Sequence, residues 1–378
     1  MRNVVVAGYA RSPFHLAGKG ALARVRPDDL AAQVIRGLIQ QTGVKAEDIE
    51  DIVLGCAFPE GEQGFNIARL IGLLADLPLS VGGMTVNRFC GSSMSSVHIA
   101  AGQIQLGAGE AFICAGVESM SRVPMMGFNP LPNPELAKKS AAYMGMGDTA
   151  ENIATKYQIT RAQQEAFAVA SQDKAAAAIA AGKLEAEIVP ITTKAGVVDK
   201  DGTPRAGTTT ETLAGLKPAF SQDGTVTAGT SSPLTDGASA ILVTSEDYAR
   251  AHGLPILARI KSVAVSGCQP EIMGIGPVEA SRKALQRAGL SVDQLDVVEL
   301  NEAFASQSLA CISDLGLDQS KVNLDGGAIA IGHPLGATGA RIVGKAAALL
   351  KREGGSYALA TQCIGGGQGI ATVLEAVK

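Results

Sequence analysis

Two parts of this chain follow one plan, 246 residues apart. The stretch "AAQVIRGLIQQTGVKAEDIEDIVLGCAF" (31–58) and the stretch "ASRKALQRAGLSVDQLDVVELNEAF" (280–304) each read helix, glycine, acidic linker, apolar strand and Ala-Phe. Gly43 thus matches Gly289, and Ala57-Phe58 matches Ala303-Phe304. A second pair repeats at an offset of 245: "GSSMSSVHIAAGQIQLGAGEAFICAGVES" from Gly91 against "GATGARIVGKAAALLKREGGSYALATQCI" from Gly336. Solenoid repeats recur every 20–50 residues or so. A period this long instead predicts two equivalent halves, each with its own core.

The elements within each half are α/β. Apolar runs at 3–8 (NVVVAG), 51–58, 111–116, 295–300 and 357–363 alternate with helical patterns. Strands this continuously apolar belong to sheets covered by helices on both faces. A chain of 378 residues with 46% hydrophobic and 18% charged residues has ample length and apolar content for more than one core. The expected halves are 1–117 and 249–378, with an insertion at 118–248. Five of the nine methionines (Met120, Met125, Met126, Met144 and Met146) fall between residues 119 and 146 among Pro and Gly, a texture that packs without regular structure. A capping-box pattern at Thr160 and Gln163 then opens a helix that Gly182 stops, and loops rich in Gly, Thr and Ser follow. The insertion either covers a site or is a packing subdomain.

Some functions are disfavoured at once. A net charge of -4 provides no basic field for nucleic acid or anionic membrane. The N-terminal "MRNVVVAGYARSPF" lacks a signal peptide's apolar core, and no apolar run reaches the ~18 residues of a membrane span, so the expected location is cytoplasmic. The six cysteines form no CxxC pair, which predicts reduced thiols rather than a disulfide framework or a metal site.

Cys90 lies before the small residues Gly91, Ser92 and Ser93, with Met94, Val97, Ala101 and Ile104 at helical spacing after it. The thiol is therefore expected at a helix N-terminus, where unpaired N–H groups and the positive dipole end favour a thiolate and offer donors to an oxyanion. Of four histidines, His333 stands out. It precedes the repeat partner of the Cys90 helix and has five glycines within seven positions. If the halves pack about a pseudo-twofold, the two corners meet and Cys90 faces His333. Cys363, before Gly365, Gly366 and Gly367, is a second strand-end thiol able to take and give a proton if its surroundings lower its pKa. Asn301, at the end of a third strand, is a neutral group suited to fixing a water or a carbonyl oxygen.

Taken together, "NRFCGSSM", "NEAFA", "GGAIAIGHPLGATGARI" and "CIGGGQG" resemble, in order and spacing, the signature of the thiolases, and the likeness runs from "ARSPF" to "GQGIA". "TAGTSSPLTDGA" and "MGIGPVEASRKAL" resemble the degradative 3-ketoacyl-CoA thiolases (acetyl-CoA C-acyltransferases) more than the biosynthetic acetoacetyl-CoA thiolases. The resemblance implies a fold of two pseudo-symmetric βαβαβαββ halves in a five-layered αβαβα core, with an inserted loop domain carrying much of the coenzyme A (CoA) site. It implies thiolytic cleavage of 3-ketoacyl-CoA, reversible as a Claisen condensation, with CoA as co-substrate and no permanently bound cofactor.

By the same resemblance Cys90 is the acylated nucleophile, His333 its activator and Cys363 the second acid/base. Asn301 holds a water that forms one oxyanion hole with His333, and the N–H groups of Cys90 and Gly365 form the other. Arg205 falls near the adenine, Ser232 on the pantetheine, and Phe220, Met146, Ala303 and Phe304 along the tunnel. Arg205 reads equally well as a solvated loop charge, and Met146 and Phe304 as core. Biosynthetic relatives carry a histidine just before the equivalent of Met146. Here Gly145 stands there and the preceding loop is short, which leaves room for longer acyl groups. Family members are homodimers or homotetramers, some joined to a multifunctional β-oxidation subunit. The alternatives are a short-chain biosynthetic thiolase and a non-catalytic CoA-binding partner.

Overall fold

A computed structural model describes residues 2–377. The first half runs β1 (Val4–Arg11), β2 (His15–Leu16), α1 (Pro27–Thr42), β3 (Ile49–Gly55), α2 (Ile67–Leu74), β4 (Gly82–Val86), α3 (Ser92–Leu106) and β5 (Ala111–Ser119). An excursion follows, with α4 (Pro134–Lys139), α5 (Met146–Lys156), α6 (Arg161–Ala180), β6 (Ile191–Thr193), β7 (Gly196–Val198) and α7 (Thr210–Ala214). The chain returns through β8 (Thr235–Ser245) and α8 (Glu246–Ala251). The second half runs β9 (Ala258–Gly267), α9 (Gly276–Ala288), β10 (Val297–Leu300), α10 (Ala305–Leu315), α11 (Ala328–Ile331), α12 (Leu335–Glu353), β11 (Tyr357–Ile364) and β12 (Gln368–Glu375).

The repeat is visible in these elements. α1 and α9 each have a proline in the first turn with carboxylates nearby, and each ends on a glycine in the left-handed region, Gly43 at φ 72° and Gly289 at φ 68°. The proline suits the unbonded first turn, the carboxylates complement the helix dipole, and only glycine takes positive φ without strain. The half-sheets have matching orders, β4-β3-β5-β8-β1 and β10-β11-β12-β9. The counterpart of β4 in the second half is reduced to a single parallel bridge between Val298 and Val322. Each half is thus βαβαβαββ, with one strand vestigial in the second. The half-sheets join through β1 and β9 at Val5↔Arg259 and Val6↔Ala258, making one continuous hydrogen-bonded sheet.

Burial defines five layers. α1 and α2 cover the outer face of the first half-sheet. α3 and α12 lie together between the two inner faces. α9 and α10 cover the outer face of the second. The central helices touch almost without side chains: a Cβ on Gly339 would stand 2.2 Å from the Met94 backbone nitrogen. Ala340 N–H donates to Ser93 Oγ at 2.8 Å beside it.

The expected insertion at 118–248 is too long at both ends. Residues 118 and 119 complete β5, and 235–245 form β8, fully buried between β1 and β5. "TDGASA" reads as loop by composition, yet small residues are required there, since a Cβ on Gly237 would meet the Phe14 ring at 2.4 Å and Pro334 at 3.0 Å.

Candidate active site

The chain leaves β4 through Asn87 and Arg88 and turns sharply at Phe89, a non-glycine residue at φ 43°. Such a conformation costs about 1–3 kcal/mol and persists only where the surroundings hold it. Phe89 N–H donates to Asn87 Oδ1 at 2.8 Å, Ser92 Oγ donates to Phe89 O at 2.6 Å, and Arg88 reaches Ser95 Oγ and, on β12, Gln368 Oε1. Gln362 of β11 donates its amide to the carbonyl of Cys90. The second half therefore fixes the turn that presents the first half's cysteine.

Two N–H groups, those of Gly365 and of Cys90 itself, favour a thiolate at Cys90. They do not make it a resting thiolate. Burial outweighs them, and with the Glu118 charge pushes the thiol up to about 11. Cys90 lies in the turn that leads directly into α3, whose first residue is Ser92, and burial there opposes the lowering that a helix terminus favours. Cys363 is buried and its thiol is raised well above its ordinary value, first by burial and then by the charge of Cys90. Its surroundings thus raise the value that the expected proton exchange would need lowered.

His333 is buried, and burial, with Arg341 adding to it, pushes its imidazole down to about 3. Nδ1 lies 2.6 Å from Thr338 Oγ1, whose own hydroxyl donates to Pro334 O at 3.3 Å. Thr338 therefore accepts from Nδ1–H, and Nε2 carries the lone pair. Asn301 Nδ2 stands 3.4 Å from Nε2, while Asn301 Oδ1 is buried with no partner, an acceptor left for a water or ligand. The other histidines are engaged elsewhere: His98 bonds Thr372 on β12, His15 bonds the Lys200 carbonyl, and His252 stacks on Tyr248.

Residues 4–247 match the thiolase N-terminal domain and residues 254–376 the thiolase C-terminal domain. The chain belongs to the thiolase family. A 3-ketoacyl-CoA thiolase of Bacillus subtilis is 47% identical over 99% of this chain and all of its own length. One from Aliivibrio fischeri is 49% identical with the same coverage. The crystal structure of human mitochondrial 3-ketoacyl-CoA thiolase in complex with CoA superposes with a TM-score of 0.92 at 38% identity, covering 100% of this chain and 98% of that one. The fold is the thiolase fold.

In this thiolase most of the remaining expected residues pack against one another. Met146 and Gly365 share with Cys90 a largely apolar cavity of about 380 Å³, also lined by Phe58, Met125, Leu131 and Tyr143. Met146 packs with Cys363, Ala303 and Phe304. The Phe220 ring meets Phe304 edge-on at 5.9 Å, and Gly147 leaves room for it. Ser232 donates both its N–H and its hydroxyl to the Ala303 carbonyl, at 3.0 and 3.1 Å. Arg205 is not against the cysteine. It is exposed and lines a separate small cleft with Gly229 and Ser231.

Sequence reasoning missed Glu118. Its buried carboxylate accepts from Ala57 N–H, Phe58 N–H, Gly336 N–H and the Gln63 amide, tying the end of β3 to the start of α12. A carboxylate inside the apolar run "AFICAGVES" was the available signal. Thr338 and Gln362 were also passed over, and nothing in their spacing marks them. Among the described residues no helix is long and apolar enough to cross a membrane.

Proposed function

We propose that this thiolase cleaves 3-ketoacyl-CoA with CoA, giving acetyl-CoA and an acyl-CoA two carbons shorter through an acyl-Cys90 intermediate. The observation carrying this is that Cys90 stands on the wall of an apolar cavity beside Met146 and Gly365, that Met146 packs in turn with Cys363, and that the residue before Cys363, Gln362, holds the Cys90 carbonyl. Nε2 of His333 takes the Cys90 proton as sulfur attacks the 3-keto carbon. The alkoxide is stabilised by the resulting Nε2–H and by a water on Asn301. The C2–C3 bond breaks, its electron pair leaves with the acetyl-CoA enolate, and Cys363 protonates that carbon. The Cys363 thiolate then takes the proton of a second CoA, whose sulfur attacks the acyl group in the Cys90 and Gly365 N–H pocket. Cys90 leaves and regains its proton from His333. The reverse sequence is a Claisen condensation.

CoA lies along Met146, Phe304, Phe220, Ala303 and Ser232, with its adenine end toward Arg205, so much of its site is in the excursion between β5 and β8. The apolar lining beyond Cys90 favours acyl groups longer than acetoacetyl. The exposed Leu70, Leu73 and Leu74 of α2, near the open edge of β4, support assembly as a homodimer or homotetramer. The test is CoA-dependent cleavage across 3-ketoacyl-CoAs from acetoacetyl- to 3-ketohexadecanoyl-CoA, beside Cys90→Ala. Activity confined to acetoacetyl-CoA moves the assignment to the short-chain class. No cleavage at any length rejects it in favour of a non-catalytic CoA-binding protein.

A further inference from the structure

Beneath His333 and Asn301 lies a second link between the same two elements. Glu299 lies on β10 two residues before Asn301, which directly follows the strand and donates its N–H to Thr361 O of β11, and Arg341 follows Thr338 by three on α12. Arg341 Nη1 donates to Glu299 Oε2 at 3.0 Å, and Nη2 to the Gly326 carbonyl at 3.3 Å, in the loop leading to His333. Both side chains are essentially inaccessible, at 2% and 0% exposure. The circuit closes: Asn301 to His333 to Thr338, along α12 to Arg341, across to Glu299, and along β10 back to Asn301.

This pair is poorly built for stability. Glu299 Oε1 and Arg341 Nε are buried without partners. Burial pushes Glu299 up to about 7 despite the attraction of Arg341 and Lys345, with Asp325 and Glu187 opposing them. Arg341 in turn faces Tyr9, Glu187 and Arg11. A buried ion pair with unmet hydrogen bonds is commonly no better than an apolar pair of the same volume. What it supplies is direction, since a guanidinium and a carboxylate bond at fixed angles.

We propose that Glu299 and Arg341 are a positioning pair: by locking β10 to α12 they hold the Asn301 amide against Nε2 of His333 and keep the imidazole in its Nδ1–H form. The inference rests on the thiolase reading above, in which Nε2 accepts the Cys90 proton. Neither residue touches substrate, so both act through His333 and Asn301.

The test compares Glu299→Gln, Arg341→Lys and the double variant Glu299→Leu/Arg341→Met with wild type, by melting temperature, by kcat and KM for CoA, and by the 15N imidazole spectrum, with His333→Asn identifying the signal. In Glu299→Gln, kcat is expected to fall about tenfold to a hundredfold, as sub-ångström misplacement of a catalytic group does, with KM for CoA within about twofold. The His333 signal is expected to shift toward mixed tautomers. Arg341→Lys keeps the charge and recovers part of kcat. The double variant is expected to melt at or above wild type and still to be slow. A double variant with wild-type kcat and tautomer overturns the proposal, as does any loss of activity that tracks melting temperature while the spectrum stays unchanged. If the double variant does not fold, the near-isosteric Glu299→Gln decides alone. If wild type cleaves no 3-ketoacyl-CoA, the functional reading fails, while the tautomer comparison still tests the pair.

Discussion

The starts of α3 and α12 are the same corner made twice, and they differ in everything that concerns chemistry. At the first, a strained Phe89 sets a partly exposed cysteine on a cavity wall. At the second, a buried histidine is bonded on both ring nitrogens and α12 is buried along most of its length. Equivalent backbone thus presents a thiol at a cavity in one half and encloses an imidazole in the other. The contact between the corners is itself asymmetric. Met94 and Gly339 are equivalent at the 245-residue offset, and one carries a side chain that the other must lack.

Removing each corner's reactive group tests the division most directly. Cys90→Ala is expected to lower thiolysis by at least ~10³-fold and to abolish acyl-enzyme seen by mass spectrometry, because no other group forms the covalent bond. His333→Asn is expected to lower kcat by about 10²–10⁴-fold, the usual share of general-base catalysis, with the fold intact by circular dichroism. Equal losses in both variants sharpen the comparison into one catalytic unit; a fully active His333→Asn breaks it.

The seam gives a smaller, structural effect. Gly339→Ala places a methyl group where the Met94 backbone nitrogen lies 2.2 Å away, so denaturant titration is expected to show a loss of about 1–3 kcal/mol or more from overpacking. Met94→Ala, at the equivalent position, instead opens a cavity and is expected to lose about 2–5 kcal/mol. A neutral Gly339→Ala would show that the helices can separate.

Acid stability distinguishes the corners least. His98 on α3 and His333 before α12 are both depressed to about 3, chiefly by burial. Each is neutral in the folded state and protonates readily once unfolded, so its contribution is fully present above the unfolded value near 6.5 and is lost as pH falls toward 3. Between about pH 4 and 6 the pair is expected to contribute roughly 2–3 kcal/mol of lost stability per pH unit, and His98→Gln to halve that slope.

Much of this was legible beforehand. The repeat, the α/β alternation and the catalytic motifs are local or periodic signals, and β1, β3, β5, β10 and β11 fall on the apolar runs that announce them. β8 was hidden because Gly237, near its start, lacks a side chain for a tertiary reason, the press of Phe14 and Pro334. The thiol states were hidden too, since a helix terminus can be read from spacing but desolvation cannot.

The sequence by itself therefore determined that there are two halves, which residues could react, and that glycines would mark a close approach. The tertiary structure decided which groups burial keeps uncharged and what surrounds them: the contacts of Glu118 with Gly336, Thr338 with His333, Gln362 with Cys90 and Arg341 with Glu299 are made only once the chain has folded. Hydrophobic periodicity acts over a few residues and survives in one dimension, whereas burial and hydrogen-bond geometry exist only once the two halves have closed on each other.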